Sequence, residues 1–222
     1  MAYFPLFVDL KDKKIIVVGG GNIAFRKIIK LLPFEGKITI ISPDICVEIE
    51  NLIKENSNLI YLKKNIEEKD LINSSLVISA TDNKDINKFV CDTCKKYNIP
   101  INAVDDIENC TFLFPSLIKQ DSLIIGCSTS GNAPEIAKLI KNKIQNILPQ
   151  NLGKIIEDFG NLRYELKSIL PEQKLRAKVC HRLLEYCQNK NFDIGYNELH
   201  KKMLNLSEDI NEKNNDKVTN RG

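Results

Sequence analysis

Three consecutive glycines follow a β-branched run near the start of the chain. In KKIIVVGGGNIAFRK, Gly19, Gly20 and Gly21 come directly after the apolar residues, and Ala24 stands three positions further on. This spacing is typical of a dinucleotide-binding turn: the first glycine permits a tight bend, the second lets the backbone approach a pyrophosphate, and a small third residue lets a helix pack on the strand. The N-terminus of that helix favours bound phosphate. We therefore predict that Gly19 and Gly21 bind a dinucleotide; a purely structural glycine turn is the alternative.

The end of the second predicted strand bears on the choice of cofactor. It reads ITIISPDI, in which Ser42 and Asp44 can accept hydrogen bonds from a ribose hydroxyl. Sites for NADP usually place an arginine or a lysine here, and Ser42, Pro43 and Asp44 supply neither. The sequence thus favours NAD. Asp44 is equally suited to capping a helix that begins near Ile45, and the two roles are compatible.

Two adjacent carboxylates, Asp105 and Asp106, follow a short apolar strand in INAVDDIENC. Ligands of parallel α/β sheets bind outside the carboxyl ends of the strands, where this pair is expected to lie. Two like charges that are partly shielded from water raise the pKa of one carboxyl group, which then accepts a proton near neutral pH. The alternative is an Asx turn with solvated carboxylates.

A polar stretch, STSGNAP, precedes a predicted amphipathic helix in the second half of the chain. Ser130, Gly131 and Asn132 stand before Pro134, which suits the first turn of a helix. A helix N-terminus with exposed amides can bind a carboxylate or a phosphate group. Ordinary capping by Ser130 or Asn132 is the alternative.

The cysteines and histidines do not predict a metal site. The chain has seven cysteines, an odd number that argues against a disulfide framework and favours a reducing, cytoplasmic location. Cys91 and Cys94 form a C-x-x-C pair inside a predicted helix, and a second pair to complete four zinc ligands is missing. The two histidines, His181 and His200, lie in the predicted helical region and suit surface or packing roles.

Alternating strand and helix patterns organise the first half of the chain. Short β-branched runs alternate with helix-length amphipathic stretches up to about residue 105, which predicts a parallel sheet with crossover helices. The expected fold is α/β, with a Rossmann-type parallel sheet, then a small α+β dimerisation segment, then a C-terminal helical domain. The predicted boundaries are 1–111, 112–150 and 151–206, with a flexible tail at 207–222.

Composition limits the classes of function. With 222 residues, 43% of them hydrophobic and 27% charged, the chain is expected to be globular. Its net charge of +3 is too small to suggest a nucleic-acid partner, although residues 111–222 carry 17 basic and 13 acidic side chains, which suits an acidic small molecule. Neither a targeting segment nor an apolar run long enough to span a membrane is evident, so no membrane partner is expected.

Six segments, in order and spacing, resemble the precorrin-2 dehydrogenase family, which includes the N-terminal part of siroheme synthases. Together they extend over about three quarters of the chain, far more than the glycine turn alone. The segments are YFPLFVDLKDKKIIVVGGGNIAFRK (3–27), SATDN (79–83), NAVDD (102–106), CTFLFPS (110–116), STSGNAP (128–134) and LPQNLGKI (148–155).

This resemblance implies NAD-dependent oxidation of precorrin-2 to sirohydrochlorin by a homodimer built partly from residues 112–150. Some family members also insert ferrous iron, and the motifs leave open whether this chain does so. By position, Asp105 would be the catalytic carboxylate, and the cofactor contacts would include Asn22, Ile23, Pro43, Asp44 and Thr81. The resemblance leaves open whether Asp106 shares the role of Asp105. Ala103 replaces a larger aliphatic residue, which affects packing rather than chemistry.

A second class of function fits the same fold. A non-catalytic, NAD(H)-sensing regulatory protein would combine a dinucleotide domain with a helical appendage that contacts a partner. Such a sensor would bind NADH without turnover and would have no affinity for a tetrapyrrole. The weak net charge and the lack of a recognisable DNA-reading helix argue against it.

Overall fold

The computed structural model describes residues 3–104 and 106–219, which divide into two compact units. The first unit comprises the chain up to Phe114 together with Ser130–Asn132, and the second comprises Pro115–Thr129 and the chain from Ala133 onwards. The expected Rossmann-type sheet lies in the first unit. The described helices lack the combination of length and apolar character that crossing a membrane requires.

A five-stranded parallel sheet forms the centre of the first unit, as predicted. Its order is β3-β2-β1-β4-β5. The strands are β1 (Lys14–Val18), β2 (Lys37–Ser42), β3 (Leu59–Lys63), β4 (Leu76–Ser79) and β5 (Ile101–Ala103). The connecting helices are α1 (Asn22–Leu31), α2 (Val47–Glu55), the single-turn α3 (Glu68–Leu71) and α4 (Lys84–Lys96), with 3₁₀ turns at Leu32–Phe34 and Ile107–Asn109.

Both faces of this sheet are covered by helices. Successive side chains of its central strand, β1, point alternately into one of two hydrophobic cores. Ile15 and Val17 of β1 pack with Ala24 and Ile28 of α1. On the other face, the cluster that contains Ile16 and Val18 includes residues of α3 and α4. Strands covered on both sides require apolar residues at consecutive positions, which explains the uninterrupted runs in the sequence.

The strand order reverses beside β1, and the position of this reversal determines where the ligand crevice lies. The chain crosses from β1 to β2 and β3 on one side, then returns to add β4 and β5 on the other. In open α/β sheets, the loops diverge at such a switch point and leave a crevice at the carboxyl ends of the strands. The turn after β1 and the turn after β4 border this crevice.

The second unit combines a β-hairpin with four helices. Strands β6 (Ser116–Gln120) and β7 (Leu123–Cys127) pair antiparallel. The helices are α5 (Pro134–Ile147), α6 (Leu152–Ile169), α7 (Gln173–Asn189) and α8 (Tyr196–Thr219). A buried core joins α6, α7 and α8 through residues such as Leu162, Val179 and Met203. The role of residues 112–150 in dimerisation stays a prediction.

The C-terminal region differs from the expected tail. Helix α8 continues to Thr219, well past residue 207, where the sequence predicts a flexible end. Met203, Leu206, Ser207 and Ile210 are buried along one side of this helix. These residues are spaced as on one side of a helix. The segment contains few apolar residues, so its average composition does not indicate a buried helix face.

Candidate functional site

The glycine turn, Gly19–Gly21, packs against the loop after β4 and the loop after β2. Gly19 is buried and has a φ of +111°, a conformation that favours glycine, and a Cβ there would overlap the carbonyl oxygen of Ala80. A Cβ at Gly20 would overlap the carbonyl oxygen of Asp44. The Gly19 amide donates to Ile41 (3.0 Å), and the Cys46 amide donates to Gly20 (2.8 Å). Close packing against both loops therefore requires glycine at positions 19 and 20.

The third glycine lies in open space at the start of α1. Gly21 is exposed, a Cβ there would meet no atom within 4 Å, and it occupies the N-cap of α1 without a side-chain cap. Asn22 and Ile23 are exposed in the first turn, whereas Ala24 is fully buried. An uncapped helix N-terminus beside an open glycine is the cradle that a pyrophosphate fits. The turn thus fits a dinucleotide.

The loop after β2 forms the edge of the crevice where a ribose is expected. Ser42 is nearly buried, whereas Pro43 and Asp44 are exposed. The Tyr61 hydroxyl lies 3.1 Å from the carbonyl oxygens of both Ser42 and Pro43 and can donate to either. Lys63 Nζ lies 3.1 Å from Asp44 Oδ1, and this hydrogen-bonded charge raises the pKa of Lys63.

Tyr61 and Lys63 are absent from the residues predicted by sequence reasoning. Both belong to β3, which pairs in parallel with β2 so that Ser42 and Lys63 are register partners. Carboxyl ends of adjacent parallel strands meet at one edge of the sheet. The polar end of the YLKK segment indicates that β3 could contribute polar side chains to a site. Only the strand order shows that these side chains adjoin the loop after β2.

The turn after β4 is fixed by a chain of hydrogen bonds. The Asn87 side chain donates to the carbonyl oxygen of Thr81 (2.8 Å) and accepts from the buried Ser79 hydroxyl (2.6 Å). The Thr81 hydroxyl accepts from the amide of Asn83, which caps α4 by accepting from the amides of Asp85 and Ile86. These hydrogen bonds hold Thr81 beside the glycine turn. Asn87 lies one turn into α4, and sequence reasoning did not predict its contact with Thr81.

The acidic loop after β5 contains the predicted catalytic group. Asp105 lies outside the described residues, so its role stays a prediction. The carboxylate of Asp106 accepts from the amide of Asn109 (3.3 Å) and from its side chain (2.6 Å), which starts the 3₁₀ turn at Ile107–Asn109. For Asp106 the structure shows the Asx-type turn given as the structural alternative.

A buried thiol links the two ends of this acidic loop. Cys110 Sγ lies 3.2 Å from each of the carbonyl oxygens of Ala103 and Asp106, and it accepts from the amide of Ala103 (3.2 Å). Burial raises the pKa of the Cys110 thiol, so it stays protonated and can donate to one of the two carbonyls. The thiol therefore links Ala103 to Asp106, a contact that sequence reasoning did not predict.

The side chain of Asn102 fixes β5 against its neighbours. It donates to the carbonyl oxygen of Phe112 (3.1 Å) and accepts from Lys27 Nζ of α1 (3.0 Å). The same ammonium group lies 4.3 Å from the centroid of the Phe114 ring, within the range of a cation–π contact. Asn102 is buried, so its satisfied hydrogen bonds hold the strand that leads into the acidic loop.

A cleft of about 620 Å³ runs beside the acidic loop. Thr81, Val104 and Asp106 line it, together with residues along one side of α4 that include Asn87 and Cys91. The cleft therefore extends from the turn after β4 to the loop after β5. This is enough room for part of a ligand to approach both loops at once.

The predicted substrate-binding residues also belong to the first unit. Ser130, Gly131 and Asn132 are exposed, and a Cβ at Gly131 would overlap the side chain of Ile107. The stretch thus lies against the acidic loop. The N-cap of α5 is Ala133, so the proposed capping of this helix by Ser130 or Asn132 is not observed. Contact of these residues with substrate stays a prediction.

The described residues contain no group of three or more histidine, cysteine or acidic side chains that could hold a metal ion. The seven cysteines are free thiols. Cys91 and Cys94 lie on the buried side of α4, and burial raises their pKa values to about 11 and about 12. Raised pKa values oppose the thiolate form that metal ions bind.

Comparison with known proteins identifies relatives for most of the chain. Residues 6–116, half of the chain, match a family described as "Putative NAD(P)-binding". A siroheme synthase of Ruthia magnifica subsp. Calyptogena magnifica is 41% identical over 167 residues, 75% of this chain and 35% of the relative. A siroheme synthase of Buchnera aphidicola is 33% identical over 208 residues, 91% of this chain and 44% of the relative. The chain thus spans less than half the length of these curated relatives.

A solved structure has a similar fold. The protein described as "SirC, precorrin-2 dehydrogenase" superposes with a TM-score of 0.69 at 21% identity, and the match covers 95% of this chain and 100% of that protein. The resemblance predicted from the six motifs is confirmed by these relatives. The chain belongs to the NAD(P)-binding family that its residues 6–116 match, and it is a homologue of siroheme synthases over three quarters of its length.

Proposed function

We propose that this chain oxidises precorrin-2 to sirohydrochlorin with NAD as the hydride acceptor, a step of siroheme synthesis. The observation that carries the proposal is the 41% identity to a siroheme synthase over 167 residues. The glycine turn alone would suit many dehydrogenases, because function depends on the site grafted onto a fold. The region that matches the NAD(P)-binding family, residues 6–116, contains both the glycine turn and the acidic loop, which are the two parts that this reaction requires.

The crevice supplies the contacts for the cofactor. The amides at Gly21 and the first turn of α1 would bind the pyrophosphate, Ser42 and Asp44 would accept from a ribose hydroxyl, and Thr81 would border the nicotinamide half. When bound, NAD accepts a hydride from the substrate. Asp44 also favours NAD over NADP, because a carboxylate repels a 2′-phosphate group.

The acidic loop supplies the proton acceptor. Oxidation of precorrin-2 removes two hydrogens, one as a hydride and one as a proton, and the carboxylate of Asp105 would take the proton. Cys110 holds both flanks of this loop, and Ser130–Asn132 lie against its Ile107 side. The amide and hydroxyl groups of Ser130 and Asn132 would then bind carboxylates of the tetrapyrrole.

The test is an anaerobic assay with precorrin-2 and NAD that records NADH and sirohydrochlorin. We expect Asp105→Ala to lower kcat by about 100-fold or more, the range typical of a general base, while NADH affinity stays unchanged. Glu108→Ala is the matched control, because it removes an exposed carboxylate from the same loop. A fully active Asp105→Ala enzyme would exclude Asp105 as the base. NADH binding without turnover by the wild-type chain would instead support the NAD(H)-sensing alternative.

Insertion of ferrous iron stays a prediction from the family resemblance. In that reaction the carboxylate of Asp105 would receive pyrrole protons as iron enters the macrocycle. The same anaerobic assay decides it when ferrous iron is added and the rate is corrected for spontaneous insertion. Iron is a substrate in this reaction and not a resident cofactor.

We further propose that the chain forms a homodimer through α5. Apolar side chains lie on one exposed face of this helix, with Ile136 and Leu139 each 53% exposed and Ile147 79% exposed. Contiguous exposed apolar surface of this kind commonly marks an interaction site. A cytoplasmic location and the absence of nucleic-acid and membrane partners stay predictions from composition and from the free thiols.

A further inference from the structure

We propose that Asp44 and Lys63 together determine which dinucleotide the site accepts. Asp44 holds Lys63 and repels a 2′-phosphate, so the site prefers NAD; once Asp44 is removed, Lys63 binds that phosphate and the site accepts NADP. The inference rests on the proposed dinucleotide site. It adds a specificity-determining residue, Lys63, that the local sequence after β2 does not contain.

The sheet brings Lys63 to the ribose edge of the crevice. Lys63 is the last residue of β3 and the register partner of Ser42, the last residue of β2. Tyr61, two residues earlier on the same side of β3, reaches the carbonyl oxygens of Ser42 and Pro43 with its hydroxyl. This contact joins the end of β3 to the loop after β2, so Lys63 has a defined position beside Asp44.

The backbone of Asp44 is fixed, whereas its side chain faces solvent. The Asp44 carbonyl lies so close to Gly20 that a Cβ there would overlap it, and the amide of Cys46 donates to the carbonyl of Gly20. The side chain is 86% exposed, and that of Lys63 is 71% exposed. A ligand that reaches this edge of the glycine turn therefore meets both charged groups without any movement of the backbone.

The balance of charge explains the expected preference. A carboxylate accepts hydrogen bonds from the two ribose hydroxyls of NAD and repels the 2′-phosphate of NADP. An exposed ion pair is weak, so Lys63 can leave Asp44 at little cost. The neighbouring Lys64 does not compete for this role, because it pairs with Asp70 (2.7 Å). Removal of Asp44 thus leaves an accessible ammonium group at the position of the 2′-phosphate.

The experiment compares equilibrium binding of NADH and NADPH by fluorescence titration, without tetrapyrrole. The variants are Asp44→Ala, Lys63→Ala and the double variant Asp44→Ala/Lys63→Ala. We expect Asp44→Ala to bind NADPH at least about tenfold more tightly than the wild type does, as expected for a new charge-assisted contact. The double variant should lose the part of that gain that Lys63 supplies, and raised salt should weaken NADPH binding to Asp44→Ala more than to the double variant.

A matched control uses the opposite edge of the sheet. Lys37 is exposed and pairs with Asp12 (3.3 Å) at the start of β2, so Asp44→Ala/Lys37→Ala removes the same charges without touching the ribose edge. This variant should keep the NADPH affinity of Asp44→Ala. Equal NADPH affinity of the two double variants would overturn the role of Lys63, as would an Asp44→Ala variant without any gain. If the wild-type chain binds neither dinucleotide, the proposed function fails as well.

Discussion

Gly19 and Gly21 have different requirements although both belong to the same glycine turn. Alanine at Gly19 must adopt a positive φ and overlap the Ala80 carbonyl, so Gly19→Ala should lower the free energy of unfolding by about 3 kcal/mol or more. Alanine at Gly21 meets no neighbouring atom and should cost less than about 1 kcal/mol. Denaturant unfolding of the two variants measures this difference.

The Gly19→Ala and Gly21→Ala variants also distinguish an effect on folding from an effect on cofactor binding. A methyl group at Gly21 projects into the open cradle, so Gly21→Ala should weaken NADH binding by about tenfold or more while the protein stays folded. An NADH titration checks this result. Unchanged NADH affinity in Gly21→Ala would mean that the pyrophosphate does not approach this residue.

Spacing along the chain predicts some of the site residues and cannot predict others. Gly19, Gly21 and the two aspartates of NAVDD stand in local patterns, and the glycine turn has the predicted geometry. Lys63 and Cys110 act through groups that are distant in sequence or belong to the backbone. Their contacts depend on strand order and loop closure, for which a local pattern contains no signal.

Two glycines of α6 provide a test at the level of a helix. A Cβ at Gly153 would overlap the carbonyl oxygen of Gln120 at the end of β6, whereas a Cβ at Gly160 would meet no atom within 4 Å. Gly153→Ala should therefore lower the free energy of unfolding by about 2 kcal/mol or more. Gly160→Ala should raise it by about 0.5–1 kcal/mol, because alanine favours helix. Thermal unfolding would contradict this packing if both variants gained stability.

Helix α4 should make stability depend on pH in the alkaline range. Burial raises the pKa values of Cys91 and Cys94 from 9.0 to about 11 and about 12, so the folded state keeps protons that the unfolded state releases. This stabilisation is fully present below pH 9 and is lost as the pH rises towards 11 to 12.

Urea unfolding at several pH values measures this effect. Between pH 8 and 11 the free energy of unfolding of a Cys91→Ala/Cys94→Ala variant should fall less than that of the wild type, by up to about 5 kcal/mol in total. A Cys127→Ala variant is a suitable control, because Cys127 is only partly buried. Parallel pH profiles for wild type and double variant would show that these thiols titrate alike in both states.

Regular elements were predictable where the hydrophobic period is strong. The alternation of apolar runs with amphipathic stretches predicts the parallel sheet, because each strand and helix carries its own pattern. The end of α8 was not predictable in this way. Among the side chains that the structure describes, Ile210 is the last buried apolar one, and many charged residues surround it in the sequence. There, tertiary packing of a few side chains outweighs composition.

The proposed homodimer is a property of the whole molecule, and the molecular mass of the protein in solution tests it. Ile147→Asp places a charge on the exposed apolar face of α5 and should shift the mass in solution towards that of a monomer. Asn142→Asp changes an exposed position of the same helix outside that apolar face and serves as the control. Light scattering coupled to size-exclusion chromatography gives the two masses. A monomeric wild-type protein would contradict the proposal.

The crossing of the Ala80 carbonyl over Gly19 constrains how a cofactor reaches its cradle. Because the amide of Ala80 donates to Val18 (2.8 Å) and that of Gly19 donates to Ile41, the loops after β1, β2 and β4 are joined at one point. A local fluctuation that lifted one of these loops would break contacts of the others. We therefore expect a dinucleotide to enter and leave across the exposed Gly21 and Asn22, without displacement of the three joined loops.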